Sequence, residues 1–406
     1  MAGSTFRSLR VYNFRLWWFG ALVSSVGVWM QRTAQDWLVL TDLTEHSGTA
    51  VGVVMGLQFG PQLLLLPWTG YAADRFDRRR LLMVTQAASG VLALILGLLT
   101  VSGHVQLWHV YLLALLSGCV SAVDMPARQT FVSDLVGDDD LSNAVALNSA
   151  SMNAARMIGP AVAGVLIAAV GTGWAFLINA ASFAAVLASL GFLRVAQLHP
   201  NARAGPARGN LAEGLRYVRG RPDLMVMLWM VLLIGTFGLN FPIFISTMSV
   251  SVFHGGSDQY GVLSSVMAVG TLTGALLAAG WERPSLRLLP ISAAGLGAGF
   301  VVAALAPNTW VFGAGLVVIG VATLTFTNAT SSLMQLTTEP VMRGRVMALR
   351  LALVVGTTPI GAPLVGWIAD ALSPRWALGV GALSGFAAAA VALAYLMRHR
   401  RRSASR

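Results

Sequence analysis

The chain has 406 residues, of which 56% are hydrophobic and 11% charged, and its mean hydropathy is +0.71. A soluble domain of this length does not have that composition, so the class is a polytopic membrane protein. The net charge of +11 is carried by arginine alone, because the sequence has no lysine; arginines set in short loops between apolar runs point to sided membrane insertion and lipid headgroups rather than to nucleic acid.

Arg7, Arg10 and Arg15 precede an apolar run that reaches about Leu40. That run is too long for the core of a cleavable signal and is predicted to be the first spanning helix, 14–40. Arg32 and Asp36 stand four residues apart on one face of it. One reading is an ion pair within the helix. The other makes Asp36 a proton carrier, since it is the acidic residue clearly inside this span. Gln31, Gln35, Gln58 and Gln62 add polar groups to the first two spans.

The second and third runs, 49–72 and 81–101, each have about the 20 residues that a crossing needs. The turn between them, Gly70 to Arg80, carries six charges and has no room for a domain. Its arginines predict a cytoplasmic position, which fixes the direction of every other span. Gly70, Asp74, Arg75, Arg78 and Arg79 resemble, position by position, the loop signature of the major facilitator superfamily, G-x-x-x-D-[RK]-x-G-[RK]-[RK]. Asp77 stands where that signature has a glycine. The resemblance implies an all-α membrane fold of twelve spans in two pseudo-symmetric six-helix bundles. It also implies that Asp74 and its arginines form a cytoplasmic gating latch.

The fourth span, 107–125, ends in Asp124-Met125-Pro126-Ala127-Arg128-Gln129. The fifth, 142–169, places Arg156 near mid-membrane. An arginine there costs about 2.5–3.5 kcal/mol even on the mild insertion scale, so it should face a polar cavity or a carboxylate. Arg156 is therefore a candidate for substrate binding or proton coupling, with a structural ion pair as the alternative. Gly159-Pro160-Ala161-Val162-Ala163-Gly164 follows it. This resembles the fifth-helix signature G-P-x-x-G-G of drug/proton antiporters in the same superfamily, with Ala163 replacing one glycine. Glycines let helices approach closely and proline bends the helix.

After the sixth span, 174–193, comes the longest break in hydrophobicity, 194–223. It holds Pro200, Gly205, Pro206 and Gly209, then Leu211, Leu215 and Val218 at helical spacing. The pattern predicts a cytoplasmic linker and a short amphipathic helix on the membrane surface. The chain is thereby divided into an N-terminal bundle, 1–193, the linker, 194–223, and a C-terminal bundle with a basic tail, 224–406.

The second half is predicted to span at 224–247, 259–280, 288–306, 309–333, 343–370 and 375–397, with Arg398, Arg400, Arg401 and Arg402 beyond the last. Both termini are then cytoplasmic, and Arg375 is the arginine of the outer loops. Trp108, Trp174, Trp310 and Trp376 open spans on the outer side; Trp17, Trp18, Trp68 and Trp281 mark the inner side, as belt residues do. The halves repeat: Gly159 and Gly361, Gly164 and Gly366, Trp174 and Trp376, and Ser182 and Ser384 each stand 202 positions apart. The charged turn is not repeated, and Pro284 falls near the place of Asp74. Duplicated six-helix halves are a transporter architecture with the substrate site where the halves meet.

No pattern resembles an enzyme site. The six histidines lie mostly in loops or at span ends, no metal-ligand spacing is present, and a chain without lysine has no P-loop. Cys119 is the single cysteine, so no internal disulfide forms. No cofactor is expected. The expected partners are a small-molecule substrate, protons and the bilayer, with oligomeric state left open. The motif at Asp124–Gln129, Asn143-Ala144-Val145-Ala146-Leu147-Asn148, and Arg343-Gly344-Arg345-Val346-Met347-Ala348 are similar to the bacterial enterobactin-exporter-like branch of the superfamily. That branch implies proton-coupled export of a siderophore, antibiotic or metabolite across a bacterial inner membrane by alternating access. An importer of the same fold, and a non-transporting scaffold or receptor, stay open as alternatives.

Overall fold

The structure, a computed structural model, describes residues 6–65, 76–199, 211–279 and 285–404. Those residues are helical with short connections and no strand. In chain order the helices are α1 (Tyr12–Trp37), α2 (Gly48–Leu64), α3 (Arg78–Val101), α4 (Leu107–Leu135), α5 (Asp138–Val170) and α6 (Thr172–Gly191). There follow α7 (Leu211–Arg219), α8 (Pro222–Phe237), α9 (Phe241–Thr247), α10 (Ser257–Ala279), α11 (Leu288–Ala304), α12 (Thr309–Thr337), α13 (Arg343–Ala371) and α14 (Pro374–Ala404). Nine helical stretches among the described residues are long and apolar enough to cross a membrane, and Leu288–Ala304 is a shorter apolar helix.

Local chemistry sets the helix boundaries. Asp77, where the loop signature has glycine, caps α3 by accepting from the Arg80 amide at 2.8 Å. Asn308 does the same for α12 through the Val311 amide at 3.0 Å. Asp138, Asp139 and Asp140 fill the first turn of α5, where the helix dipole favours negative charge. Gly171, at φ 89°, takes the left-handed conformation that separates α5 from α6.

Two predicted elements differ in form. The run predicted to be one span over 224–247 is broken, α8 ending at Phe237 and α9 starting at Phe241. Gly238, Asn240 and Pro242 lie at the joint, and a proline near a helix start has no amide to lose. The helix then continues through a π-helical turn, Met248–Val252, just as α1 passes into a π-helical turn at Leu38–Asp42. The helix read at Leu211–Val218 forms as α7 and lies against α13, where Gly214 approaches Arg345. Val218 is fully buried, and Glu213 pairs with Arg345 of α13 at 3.2 Å.

The chain forms two compact units. One comprises Met1–Glu45, Gly60–Ala207 and Gly256–Ser265; the other comprises His46–Phe59, Arg208–Gly255 and Val266–Arg406. The first has a core of Phe14, Trp17, Leu82, Phe131, Leu135 and Leu190. Trp17 meets Phe131 edge to face at 5.2 Å and is fully buried, so it is a core residue and not the belt residue expected. Trp108, Trp174, Trp310 and Trp376 are exposed, as belt residues would be. In the second unit Phe244 and Phe300 meet edge to face at 5.2 Å.

Candidate functional site

Trp29, Arg32 and Asp36 follow one another at helical spacing on α1 and share one face. Asp36 is 7% exposed and accepts a hydrogen bond from the Tyr260 hydroxyl of α10 at 3.1 Å. Tyr260 is itself buried, its ring stacked on Trp37 with centroids 6.2 Å apart. The Arg32 guanidinium lies 5.1 Å from the centre of the Trp29 ring, and the Arg156 guanidinium, from α5, lies 5.4 Å from the same ring. Elsewhere on α1 the Asn179 amide of α6 donates to Gln31 Oε1 at 2.5 Å. The buried Gln35 Nε2 has no acceptor among the described residues. A cation–π contact contributes about 0.5–2 kcal/mol, and a guanidinium within a span costs about 2.5–3.5 kcal/mol. The indole alone therefore does not offset Arg156.

The glycine motif of α5 builds this arrangement from two sides. A side chain on Gly159 would press on Trp29 Cβ at 2.5 Å and on the Met30 amide at 3.0 Å, so α1 rests directly on α5 there. One turn on, a methyl on Gly164 would stand 2.7 Å from the Ser257 carbonyl and 3.1 Å from Gly261 Cα. The first turns of α10 therefore lie against α5. Ser265 Oγ donates to the Met157 carbonyl at 2.8 Å, and Ser257 Oγ donates to the Gly164 carbonyl at 3.3 Å. This contact brings Tyr260, the neighbour of Gly261, to Asp36.

The other unit has the corresponding glycines. Gly361 abuts the Thr236 backbone of α8, and Gly366 abuts Gly48 and Thr49 at the start of α2. One turn further, the Asp370 carboxylate caps α2. It accepts from the Gly48 amide at 2.6 Å, the Thr49 amide at 2.9 Å, the Thr49 hydroxyl at 2.6 Å and the Ser47 hydroxyl at 2.9 Å. At the α8–α9 break, Asn240 is fully buried and donates to the Thr236 carbonyl at 2.7 Å. Arg350 of α13 donates to the Thr327 carbonyl at 3.0 Å.

Of the charged turn, Gly70, Asp74 and Arg75 lie outside the described residues, as does Pro284. Arg78 and Arg79 belong to a network separate from the α1 cluster. Arg78 pairs with Asp134 of α4 at 2.7 Å, and Arg79 donates to the Leu190 carbonyl of α6 at 2.7 Å. Nearby, Asp124 accepts from Thr85 at 2.6 Å and Gln86 at 2.7 Å, and pairs with Arg128 at 3.3 Å. These contacts tie α3, α4 and α6 together at one end of the unit.

The structure thus brings Arg32 and Arg156 to one indole and seats Asp36 one turn beyond Arg32, against Tyr260, with Gly159, Pro160 and Gly164 as support for the helix contacts. Sequence reasoning missed Trp29, Tyr260, Asn240 and Asp370. The signals available were Trp29 three residues before Arg32, a tyrosine next to a glycine in the first turn of a span, and an aspartate closing an otherwise apolar helix.

The sequence matches the family described as transmembrane secretion effector over residues 3–405. The chain belongs to that family, within the major facilitator superfamily. It is a multi-pass membrane protein, and the named relatives are transporters rather than enzymes. The staphyloferrin A transporter of Staphylococcus aureus is 31% identical to it over 256 residues, 62% of this chain and 63% of that relative's length. The chain thus spans less than two thirds of that relative. The enterobactin exporter of Citrobacter koseri is 26% identical over 370 residues, 88% of this chain and 85% of that one. Among solved structures, the nucleoside transporter NupG shares the fold with a TM-score of 0.75 at 13% identity, covering 94% of this chain and 99% of NupG. A bacterial homologue of the human lysosomal transporter Spinster shares it with a TM-score of 0.72 at 14% identity, covering 95% of each.

Proposed function

We propose that this transporter is a proton-coupled exporter that works by alternating access. In this reading twelve spans form two six-helix bundles, joined by the 194–223 linker, with both termini on the cytoplasmic side of a bacterial inner membrane. The observation that carries it is Asp36, a closed-off carboxylate in a spanning helix, beside Arg32 and hydrogen-bonded to Tyr260 on another helix. Ionisable groups inside a span are costly and mark ion pathways by default. Any motion that lifts α10 from α5 takes the Tyr260 donor away from Asp36 and changes its hold on a proton. Asp36 then binds and releases a proton in step with the glycine contact. Asp74 and its arginines serve as the latch at the cytoplasmic face.

The outward direction is supported by the relative named as an enterobactin exporter. The two relatives' substrates, staphyloferrin A and enterobactin, suggest a siderophore or a metabolite of similar size. Purified transporter in proteoliposomes tests the reading. With an imposed pH gradient it should accumulate substrate uphill, and a protonophore should stop it. Asp36→Asn should abolish the uphill phase and leave downhill exchange. Uphill transport by Asp36→Asn with full protonophore sensitivity places coupling elsewhere. Accumulation only under the opposite gradient makes it an importer.

A further inference from the structure

We propose that Arg32 and Arg156, which share the Trp29 indole, form the seat for an acidic group of the transported molecule. The substrate class is then a small organic anion. The inference rests on the transport reading above and narrows its substrate.

Charge and donor balance support it. The cluster holds two guanidiniums and one carboxylate, Asp36, which already accepts from Tyr260 and lies four residues from Arg32. Among the described residues no carboxylate or hydrogen-bond acceptor reaches Arg156; its contact is the indole. Contact with a ring meets part of a cation's charge but engages none of its N–H groups in a conventional hydrogen bond. Arg156 thus brings a charge and N–H donors that no acceptor among the described residues meets. A carboxylate or similar anion reverses both imbalances, and a guanidinium fork matches its two oxygens. Access differs in the same sense. Arg32, Arg156 and Trp29 are partly exposed, whereas Asp36 and Tyr260 are closed off.

An acid group on a solute and the headgroup of an anionic lipid offer the same chemistry, and the test separates them. Proteoliposomes of pure phosphatidylcholine are adsorbed on a solid-supported membrane and challenged with salicylate, benzoate and nicotinate. Salicylamide, benzamide and nicotinamide serve as neutral partners of matched shape. We expect saturable charge displacement with at least one carboxylate and with none of the amides. Arg156→Gln should weaken the response at least about tenfold, and Arg156→Lys, which keeps the charge, by less. Arg156→Gln is to be compared only where size-exclusion profile and thermal midpoint match the wild type, with Arg32→Gln as the second variant. Asp36→Asn should retain the displacement while losing uphill flux, so failure of coupling and failure of the anion seat are told apart. The proposal is overturned if the amides bind as well as the acids, if none of the carboxylates responds, or if both arginine variants keep wild-type affinity. It is also overturned if one fifth phosphatidylglycerol abolishes the response, which assigns the seat to a lipid headgroup.

Discussion

Tyr260 reaches Asp36 across 224 positions of sequence, so one hydroxyl links α1 to α10. Tyr260→Phe keeps the ring against Trp37 and removes only the donor. Leaving a buried acceptor unmet costs about 1–3 kcal/mol, about 5- to 150-fold in an equilibrium. We therefore expect the pH midpoint of uphill transport to move by about 0.7–2 units. An unmoved pH midpoint makes the bond purely structural. Asp134 offers a contrast, because its pair with Arg78 is 2.7 Å long with both side chains at most 15% exposed. Asp134→Asn should cost about 3 kcal/mol, read as a lower thermal midpoint in detergent, since it strands a buried guanidinium. Asp140→Asn, which removes the more exposed pair with Arg7, should cost less than about 1 kcal/mol. Arg32, Asp36 and Arg156 were legible in the sequence because a charge in an apolar run is conspicuous. Trp29, Trp17 and Tyr260 were not, because aromatic residues near span ends suit a belt, a core or a site equally well. Only packing separates the buried Trp17 from the exposed Trp310.

At the level of helices, two small-residue contacts recur, α5 on α10 at Gly164 and α13 on α2 at Gly366. The 202-residue spacing made these glycines stand out before any coordinates, though not the helix each would meet. Backbone-to-backbone contact leaves nothing flexible to yield. Gly164→Ala should thus destabilise by about 1–3 kcal/mol and slow transport, measured by thermal unfolding and by flux. Gly379→Ala in α14, where a methyl meets nothing within 4 Å, should be neutral or stabilise by about 0.5–1 kcal/mol. If Gly164→Ala matches Gly379→Ala in both assays, the α5–α10 contact is slack. The α8–α9 break was harder to read. Gly238, Asn240 and Pro242 were present as signals, but the apolar residues on both sides carried a continuous span through them. Only the buried Asn240, hydrogen-bonded to Thr236, shows how the break is held.

For the whole molecule, the arginine pattern predicts sidedness, which labelling can check in intact cells. With Cys119 replaced by alanine, a cysteine at His46 should react with an impermeant maleimide from outside. A cysteine at Arg398 should react only after permeabilisation. The reverse pattern inverts the proposed topology. The cap that Asp370 places on α2 bears on how the protein is made. Its partner amides at Gly48 and Thr49 are 322 and 321 residues upstream. At roughly 5–20 residues per second, the ribosome takes about 16–64 s to travel that distance. For that interval the opening turn of α2 has its amides uncapped by the group that ends up holding them. A nascent chain released before Asp370 should therefore show faster labelling of a cysteine at Thr49 than the finished protein. α2 is thus among the first helices to be synthesised and among the last to be completed.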